Sequence, residues 1–384
     1  MKIGIITFWQ TRDNYGQMLQ CFALQKYLKS CGHDPFLIRY AHSEYIPSYS
    51  DRIIFFLANI LHGSWTSPCL KRKKLPPYTK TDHRRAFDTF KQKYLRSSEE
   101  LYYSLAELKK NAPIADCYIV GSDQVWSKSL TSDDGKVFFL MFGPKSVNRI
   151  AYAASFGNVE ISGNAVYKLA RRLSLFDSIS VREKKGVEYC QKAGYDATHV
   201  VDPTLLLSGF DYVKLFGLKC KKTRQLFIYS LNISSSGEIR WHELKEYATF
   251  QDLSIIVTPS SGYIVGSNLF EECVIYQYNT ITEWLNNIIQ SEVVVTTSFH
   301  GIVFSLLMHT PFVYIPLKGR FSSGNNRVFD LLDSLKLSYR ILCNDNTYKC
   351  IIESSINWDK VDAELNILRK KSVTFLNESI NKTK

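Results

Sequence analysis

Residues 292–305 read EVVVTTSFHGIVFS, and this stretch predicts the fold of the chain around it. It starts as a short apolar β-branched run, which is typical of a buried parallel strand. The polar residues Thr297 and Ser298 follow, and an apolar pattern with helical spacing comes after them. We expect a helix that starts near a Thr or Ser cap, with Gly301 allowing a tight turn of the backbone. This prediction places His300 between the carboxyl end of a strand and the amino end of a helix.

The position of His300 admits two interpretations. Open α/β sheets bind ligands beyond the carboxyl ends of their strands, and the positive end of a helix dipole attracts anions. On this basis His300 belongs to a binding or catalytic site. Alternatively, His300 only caps the helix or packs beneath a loop, and position alone does not decide between the two.

The rest of the chain alternates between strand and helix patterns in two successive series. Such alternation is typical of βαβ units and parallel sheets. We therefore predict an α/β protein with two Rossmann-like domains, residues 1–203 and 204–384, and a site in the interdomain cleft. Residues 82–110 have a charged helical pattern, and the final helix is expected to pack back on the first domain. Strands are predicted at 2–9, 35–40, 116–120, 149–155, 179–181, 226–230, 254–258, 293–297 and 311–316.

The composition indicates a globular, basic protein. The 384 residues are 45% hydrophobic and 22% charged, with a formal net charge of +12. A positive field suits an anionic membrane face or a phosphorylated small molecule, and the chain has no nucleic-acid-binding motif. The nine cysteines form no CxxC pair and no metal-ligand spacing. We therefore expect reduced thiols, no metal, no nucleic acid partner and a cytoplasmic location.

Residues 51–75, DRIIFFLANILHGSWTSPCLKRKKL, join an apolar aromatic segment to a basic cluster. The segment is shorter than the roughly 20 apolar residues that span a bilayer. Residues 52–74 are compatible with peripheral contact, in which the basic cluster binds anionic head groups at the inner face of the membrane. The alternative, a long helix-bearing loop packed on the domain, is somewhat favoured.

Polar residues also follow two strands of the first domain. Asn14, Tyr15 and Gly16 lie in a strand-to-helix loop, where ligand contact and turn chemistry fit equally well. Asp123 is either a general base or sugar-hydroxyl acceptor, or an Asx-turn or helix cap. Trp126 beside it offers an apolar face for a sugar ring, which slightly favours the functional interpretation.

Arginines occupy comparable positions. Arg182 ends a strand, where its guanidinium suits a carboxylate or phosphate ligand, or pairs with Glu183 or another acid. Arg320 and Arg327 lie on a Gly/Ser/Asn-rich loop that opens a helix. Four side chains are expected to face the interdomain cleft: Asp123, Arg182, His300 and Arg327.

Seven segments resemble the polysaccharide pyruvyl transferase family in their order and spacing. The ordered set is specific, although no single segment is decisive. The segments are NYGQMLQCFALQKYL (14–28), DCYIVGSDQVWS (116–127), RIAYAASFG (149–157), SVREKKG (180–186), VVDPTLLL (200–207), TTSFHGIVFSLL (296–307) and GNNRVFDLL (324–332).

The resemblance implies a fold similar to the two-domain GT-B glycosyltransferases, with the acceptor on the first domain and the donor on the second. It implies transfer of the enolpyruvyl carbons of phosphoenolpyruvate to a sugar as a cyclic ketal, with loss of phosphate. Phosphoenolpyruvate is then the donor substrate, and no cofactor is implied. Acceptors in the family are cell-wall, capsule or exopolysaccharide sugars, often lipid-linked.

Three site residues follow from matching motifs. The Arg of the family's V-R-E segment matches Arg182, as a ligand for the donor anion. The His of its H-G motif matches His300, and the Asp after G-S matches Asp123, as a base or orienting group. Many members have Arg two residues before the His, where this chain has Ser298. On this interpretation Arg327 or Arg320, on the next loop, supplies the positive charge that the Arg at position 298 provides in those members.

The chemistry of phosphoenolpyruvate assigns roles to these residues. Its carboxylate and phosphate need several cations or helix-end N–H groups, which Arg182, Arg327 and the helix start at Thr297 and Ser298 are expected to supply. Ketal formation also needs a proton on the methylene carbon. Since a histidine exchanges protons near neutral pH, we expect His300 to be the acid toward the methylene or the departing phosphate.

Two other functions remain open. One is a glycosyltransferase that uses a nucleotide sugar on the same fold, because fold does not determine function. The other is a non-catalytic sugar-binding protein of a capsule assembly complex, which the replacement of the common Arg by Ser298 suggests.

Overall fold

The computed structural model describes residues 1–41, 78–127, 130, 134–157, 159–260, 269–270 and 274–382. The segment 52–74, for which membrane contact is predicted, lies outside these residues, and so does the side chain of Arg320. Within the described part of the chain, no helix has both the length and the apolar character needed to cross a membrane.

Seven strands pair in parallel to form the first sheet. They are β1 (Lys2–Ile6), β2 (Asp34–Tyr40), β3 (Ser97–Tyr102), β4 (Cys117–Val120), β5 (Asn148–Ala154), β6 (Ser178–Val181) and β7 (Thr198–His199). Their order across the sheet is β3-β2-β1-β4-β5-β6-β7. The chain therefore builds outward from β1 in both directions, as in a Rossmann fold.

Five further parallel strands form the second sheet. They are β8 (Gln225–Tyr229), β9 (Ser254–Val257), β10 (Val274–Tyr276), β11 (Val293–Thr296) and β12 (Phe312–Tyr314). Their order, β10-β9-β8-β11-β12, reverses next to β8 in the same way. The prediction of an α/β protein with two Rossmann-like, GT-B-like domains is confirmed.

Helices connect these strands. Most of them begin at a Ser, Thr or Asn whose side chain accepts from a backbone N–H of the first turn, which stabilises the helix start. The described α-helices are α1 (Tyr15–Ser30), α2 (Lys80–Arg85), α3 (Phe87–Tyr94), α4 (Leu105–Lys110), α5 (Asn164–Leu173), α6 (Lys184–Lys192), α7 (Gly209–Phe216), α8 (Trp241–Phe250), α9 (Ile281–Gln290), α10 (Phe299–Leu307), α11 (Asn326–Ser334), α12 (Tyr348–Glu353) and α13 (Trp358–Asn381).

The strand–turn–helix predicted around His300 is present as β11 and α10, and every residue of β11 is buried. β11 lies beside β8, where the strand order of the second sheet reverses, and β4 lies beside β1 at the equivalent place in the first sheet. Open α/β sheets bind ligands at the carboxyl side of such reversals. The loops after β4 and β11 are thus where the fold places a binding site.

Two local predictions are wrong. Residues 82–110 are not only helical, because β3 lies between α3 and α4. β3 is an edge strand in which only Tyr102 is buried, so it lacks the apolar run of a buried strand. Gly301 lies inside α10 and makes no turn; a Cβ there would come within 2.4 Å of Thr296 Oγ1, so close packing is what requires glycine.

One apolar cluster joins the two sheets. It contains buried side chains of α1 from the first half and of α9 and α10 from the second. Within it, the ring of Tyr15 stacks on Trp284 with 5.1 Å between centroids, and the Tyr15 hydroxyl donates to the carbonyl of Asn279 at 2.6 Å. The amino end of α1 is therefore held against the second half.

The last helix, α13, packs against the first sheet although it follows the second in the chain. Leu376 and Ile380 share an apolar cluster with Ile3 of β1. The amide of Asn148 donates to the carbonyl of Ser379 at 2.8 Å. The division of the chain into domains at residue 203 stays a prediction.

Candidate functional site

His300 lies in the first turn of α10, directly after β11. Ser298 caps this helix, because its hydroxyl accepts from the N–H of Gly301 at 3.3 Å. The N–H of Ser298 donates in turn to Thr296 Oγ1 at 3.0 Å. These two local hydrogen bonds, both between residues close in sequence, fix the direction in which the imidazole leaves the helix.

The imidazole of His300 packs against the first half of the molecule. A Cβ placed on Gly16 would lie 2.0 Å from His300 Nδ1, so the backbone of α1 touches the ring. On the other side, His300 Nε2 is 3.6 Å from Asp202 Oδ1, within ion-pair range but too far for a hydrogen bond. The His300 side chain is 11% exposed, whereas Asp202 is fully buried.

Asp202 is the organising carboxylate of the site. It accepts from Arg182 Nη1 at 2.7 Å, from the Ser122 hydroxyl at 3.0 Å, and from the N–H and hydroxyl of Thr204 at 3.0 and 2.7 Å. Burial disfavours its charged form, but attraction to His300 and Arg182 holds the pKa of Asp202 well below its usual range.

Sequence reasoning missed the role of Asp202 and treated it only as the end of the first half. A signal was present, because Asp202 follows the apolar pair Val200-Val201 just as Asp123 follows a predicted strand. The same strand-end argument would have found it.

Arg182 and Arg327 meet over one aromatic ring. The guanidinium carbons of Arg182 and Arg327 lie 5.0 and 5.6 Å from the centroid of Phe299, both within cation–π distance. Burial and repulsion from Arg182 lower the pKa of Arg327 to about 10, so Arg327 stays charged at neutral pH. In the orientation that satisfies both groups, the amide oxygen of Gln124 accepts from Arg327 Nη2 at 3.0 Å.

Asp123 approaches the same group of residues from the loop after β4. Its Oδ1 is 3.8 Å from Arg182 Nη2 and accepts from the N–H of Gln124 at 2.8 Å. Its Oδ2 accepts from Gln17 Nε2 at 3.4 Å. The structure therefore brings together the four side chains expected to converge, Asp123, Arg182, His300 and Arg327, with Asp202 as an additional member.

Buried polar atoms without hydrogen-bond partners concentrate here. Within the described part of the chain, five such atoms belong to this group or to Glu183, which follows Arg182. They are Nε and Nη2 of Arg182, Nε of Arg327, Nε2 of His300 and Oε2 of Glu183. Because buried polar groups are nearly always hydrogen-bonded in proteins, unpartnered atoms grouped in one place indicate a site built to contact a ligand.

A cleft of about 190 Å³ opens beside two of these residues, Glu183 and Arg327. The loop after β5, the start of α6 and the amino end of α11 line it, and the cleft carries both basic and acidic side chains. The lining includes Phe156, Glu160, Glu183, Lys185, Tyr189 and Arg327. The cleft thus lies between the two halves and reaches Arg327 from solvent.

Two aromatic candidates are corrected by the structure. Trp126 is fully buried, stacks on Phe139 with 5.0 Å between centroids, and donates from Nε1 to the Phe138 carbonyl. It therefore has no face free for a sugar ring. Tyr15 is also buried, and its ring and hydroxyl are used in the contact between the two halves. Both rings serve packing because each supplies a large apolar area and one satisfied polar group.

Three further candidates have structural contacts. Asn14 caps α1, since its side-chain oxygen accepts from the N–H of Gln17 at 3.0 Å. Thr297 donates to the carbonyl of Leu231 at 2.9 Å and accepts from its N–H at 2.7 Å, which ties the loops after β8 and β11 together. Ser298 is the cap of α10. Each of these three side chains is thus in contact with backbone, which gives it a structural role in placing the loops around the site.

The buried network around Asp202 predicts a pH-dependent loss of stability on substitution. Asp202→Asn is expected to reduce the free energy of unfolding at pH 7 by about 3–5 kcal/mol, because Arg182 loses its charged partner in a buried site. Since the pKa of Asp202 is depressed, the wild-type advantage is complete above about pH 4 and shrinks as the pH falls below that value. Chemical denaturation across this pH range measures it.

The matched control is Asp333→Asn. Asp333 is 75% exposed and lies 3.8 Å from Lys184 Nζ, so its loss should change stability by less than about 0.5 kcal/mol. Equal effects of the two substitutions would contradict the central role assigned to Asp202.

The contact between Gly16 and His300 predicts a displaced imidazole in Gly16→Ala. The new methyl group occupies space that the His300 ring fills, so we expect a loss of about 1–3 kcal/mol in stability and shifted imidazole resonances. Two-dimensional NMR, with His300→Gln to assign the signal, measures the shift. Gly237→Ala is the control, since its Cβ meets only Ser235 Oγ at 3.8 Å. An unmoved His300 signal in Gly16→Ala would count against this geometry.

Comparison with known proteins supports the fold and defines the family. At 10% identity and a TM-score of 0.50, the structure is similar to a putative UDP-N-acetylglucosamine 2-epimerase from Listeria monocytogenes, covering 96% of this chain and 90% of that one. A UDP-N-acetylglucosamine 2-epimerase from Rickettsia bellii gives 11% identity and a TM-score of 0.48, covering 99% and 97%. Likeness at such identities concerns the fold alone.

A search of curated protein sequences found no match. The family model described as polysaccharide pyruvyl transferase matches residues 14–319, which is most of the chain and includes Asp123, Arg182, Asp202 and His300. The resemblance seen in the sequence motifs is thereby confirmed. This chain belongs to the polysaccharide pyruvyl transferase family.

Proposed function

We propose that the protein transfers the pyruvyl group of phosphoenolpyruvate to a sugar of a surface polysaccharide or its lipid-linked precursor, forming a pyruvate ketal and releasing phosphate. Membership of a pyruvyl transferase family supports the transferase class. The observation that carries the proposal is the group of unpartnered buried atoms on Arg182, Arg327 and His300, which two Rossmann-like halves bring to one place.

Donor binding is assigned to the two arginines. Phosphoenolpyruvate carries a carboxylate and a phosphate, and guanidinium groups bind both by charge-assisted hydrogen bonds. Arg182 and Arg327 both lie within cation–π distance of Phe299, and each has donor atoms without a partner. Arg182 is already fixed by Asp202, so it offers a preorganised contact, whereas Arg327 lines the open cleft and meets the donor first.

Formation of the ketal requires a group beside the donor that gives and takes protons. In the first step a sugar hydroxyl adds to the central carbon of the enol, and His300 gives a proton to the methylene carbon. In the second step another hydroxyl of the same sugar attacks the central carbon, and the carbon–oxygen bond to phosphate breaks with its electron pair leaving on the phosphate. Asp123 accepts or orients the attacking hydroxyl proton.

The buried Asp202 suits this assignment of His300. A carboxylate 3.6 Å from Nε2 places a negative charge beside the imidazole without a hydrogen bond between the two groups. Gly16 supports the other face of the ring, so the imidazole is aimed by backbone contact.

His300→Ala should abolish most turnover while the protein still folds, because general acid–base catalysis contributes about 10²–10⁴-fold. The assay measures phosphate release from phosphoenolpyruvate in the presence of acceptor, with circular dichroism as a check on folding. His309→Ala is the control, since His309 is half exposed and pairs with Asp362 on the surface. Turnover near the wild-type value in His300→Ala would remove the central residue of the proposal.

Arg327→Ala should mainly raise the concentration of phosphoenolpyruvate needed for half-maximal rate, by roughly 10-fold or more, since a charge-assisted hydrogen bond contributes about 1.5–3 kcal/mol. Arg182→Ala is a poorer test, because it also leaves the buried Asp202 without its partner. Steady-state kinetics with varied donor separates the two effects. A selective rise in the acceptor requirement would instead place Arg327 on the acceptor side.

The decisive experiment incubates the protein with phosphoenolpyruvate and a panel of galactosides, glucosides and N-acetylmannosaminides, followed by mass spectrometry. The expected product gains a pyruvate ketal on one sugar. Titration with a nucleotide sugar runs in parallel. Binding of the nucleotide sugar without phosphoenolpyruvate would favour a glycosyltransferase, and neither binding nor product would favour a non-catalytic sugar-binding protein.

A further inference from the structure

Glu183 is a buried carboxyl group for which the proposed reaction has no role. It follows Arg182 at the end of β6 and precedes the first residue of α6, and its side chain makes no capping bond to that helix. Its Oε1 accepts from the N–H of Phe156 at 2.7 Å. Its Oε2 is buried without a hydrogen-bond partner, and the residue lines the cleft of about 190 Å³.

Charged and titratable groups surround Glu183 from several elements. Arg182 precedes it, Arg327 faces it from α11, and the Cys190 thiol lies near it on α6. Burial raises the pKa of Glu183. Attraction to Arg182, hydrogen bonds from the Phe156 N–H and the Ser155 hydroxyl, and attraction to Arg327 only partly offset this effect. Across the cleft, Lys185 is paired with Glu160, to which the Tyr189 hydroxyl also donates.

The two guanidinium groups do not hydrogen-bond to Glu183. Arg182 donates to Asp202, Arg327 donates to Gln124, and the Nε atoms of both arginines have no partner. An ionised carboxylate among arginines normally takes their hydrogen bonds. Glu183 and Arg327, whose Oε2 and Nε–H have no partner, both line one cleft, and these two atoms do not bond to each other. This arrangement fits a third group, with several acceptor oxygens, between them.

We propose that Glu183 is a further ligand of the donor and acts as the neutral acid, with Oε2–H donating a hydrogen bond to an anionic oxygen of the bound phosphoenolpyruvate. The inference rests on the proposed function. No covalent bond changes in this step: above the pKa of Glu183, one proton is taken from solvent when the donor binds. Donor affinity then depends on the protonation of a residue that performs no chemistry on the substrate.

Glu183→Gln tests this directly, because glutamine is a permanent copy of the protonated acid. Its carbonyl can accept from Phe156 N–H, and its amide N–H₂ can donate to the anion. Calorimetric titration with phosphoenolpyruvate from mildly acidic to alkaline pH gives the dissociation constant at each pH. Wild type should lose affinity by up to about tenfold per pH unit above the pKa of Glu183, relative to the variant.

The variant should bind as tightly as wild type at the low end of this range and more tightly at the high end. All other ionisable groups, including those of phosphoenolpyruvate, are common to both titrations, so the difference isolates Glu183. Glu183→Ala should bind weakly at every pH. A Glu183→Gln variant that is weaker than wild type by the same factor at all pH values would overturn the inference, because that result indicates an ionised carboxylate.

Glu160→Gln is the matched control. Glu160 is exposed and lines the same cleft, where it pairs with Lys185, so its neutralisation should leave the pH dependence of donor binding as in wild type. Titrations in buffers with different heats of ionisation count the protons taken up. Glu183→Gln should lower that count by up to one, and Glu160→Gln should not change it.

A second measurement separates failure of this inference from failure of the proposed function. Infrared difference spectra of the free protein, wild type minus Glu183→Gln, should contain a protonated-carboxyl band that persists above about pH 4.3, where an ordinary glutamate is half ionised. Absence of that band overturns the inference even if phosphoenolpyruvate binds. If the band is present, inorganic phosphate replaces phosphoenolpyruvate as the anion in the same titrations. Proton uptake with phosphate but not with phosphoenolpyruvate would support Glu183 as an anion ligand and would contradict phosphoenolpyruvate as the donor.

Discussion

The buried carboxylate of Asp202 is the constraint on which the site depends. It receives hydrogen bonds from Arg182, Ser122 and Thr204, and it faces His300 across 3.6 Å. These partners come from the ends of β4 and β6, from the segment after β7 and from α10. A buried charge is tolerated only when it is surrounded by such partners, so removing one member weakens the placement of the others.

The site is complete only when both halves pack together. The first half supplies Asp123, Arg182 and Asp202, and the second supplies His300 and Arg327. Both guanidinium groups lie within cation–π distance of Phe299, whose ring attracts each of them. The apolar cluster shared by α1, α9 and α10 fixes the two sheets against each other, and with them the relative positions of these side chains. Packing between the halves is therefore part of the active-site geometry.

Local sequence patterns predicted much of the fold and of the candidate site. Apolar runs located the central strands, Thr and Ser caps located helix starts, and the strand-end rule placed Asp123, Arg182 and His300 at a common edge. The edge strand β3 was not predicted, because only one of its side chains, Tyr102, is buried and the strand has no apolar run. Ligand contact was one of the interpretations open for Trp126 and Tyr15, because an aromatic side chain beside a loop looks the same in the sequence whether it is exposed or enclosed. Only the surrounding rings show which it is.

The sequence by itself determined the α/β class, the two series of strands, the family resemblance and the edge of each sheet where polar residues gather, since these follow from short-range periodicity and local backbone preferences. Only the tertiary structure decided that Asp202 anchors Arg182, that Gly16 supports His300 and that Glu183 keeps one oxygen unpartnered beside a cleft. Those facts depend on contacts between residues far apart in the chain. No local pattern encodes the distance or the burial that sets such contacts.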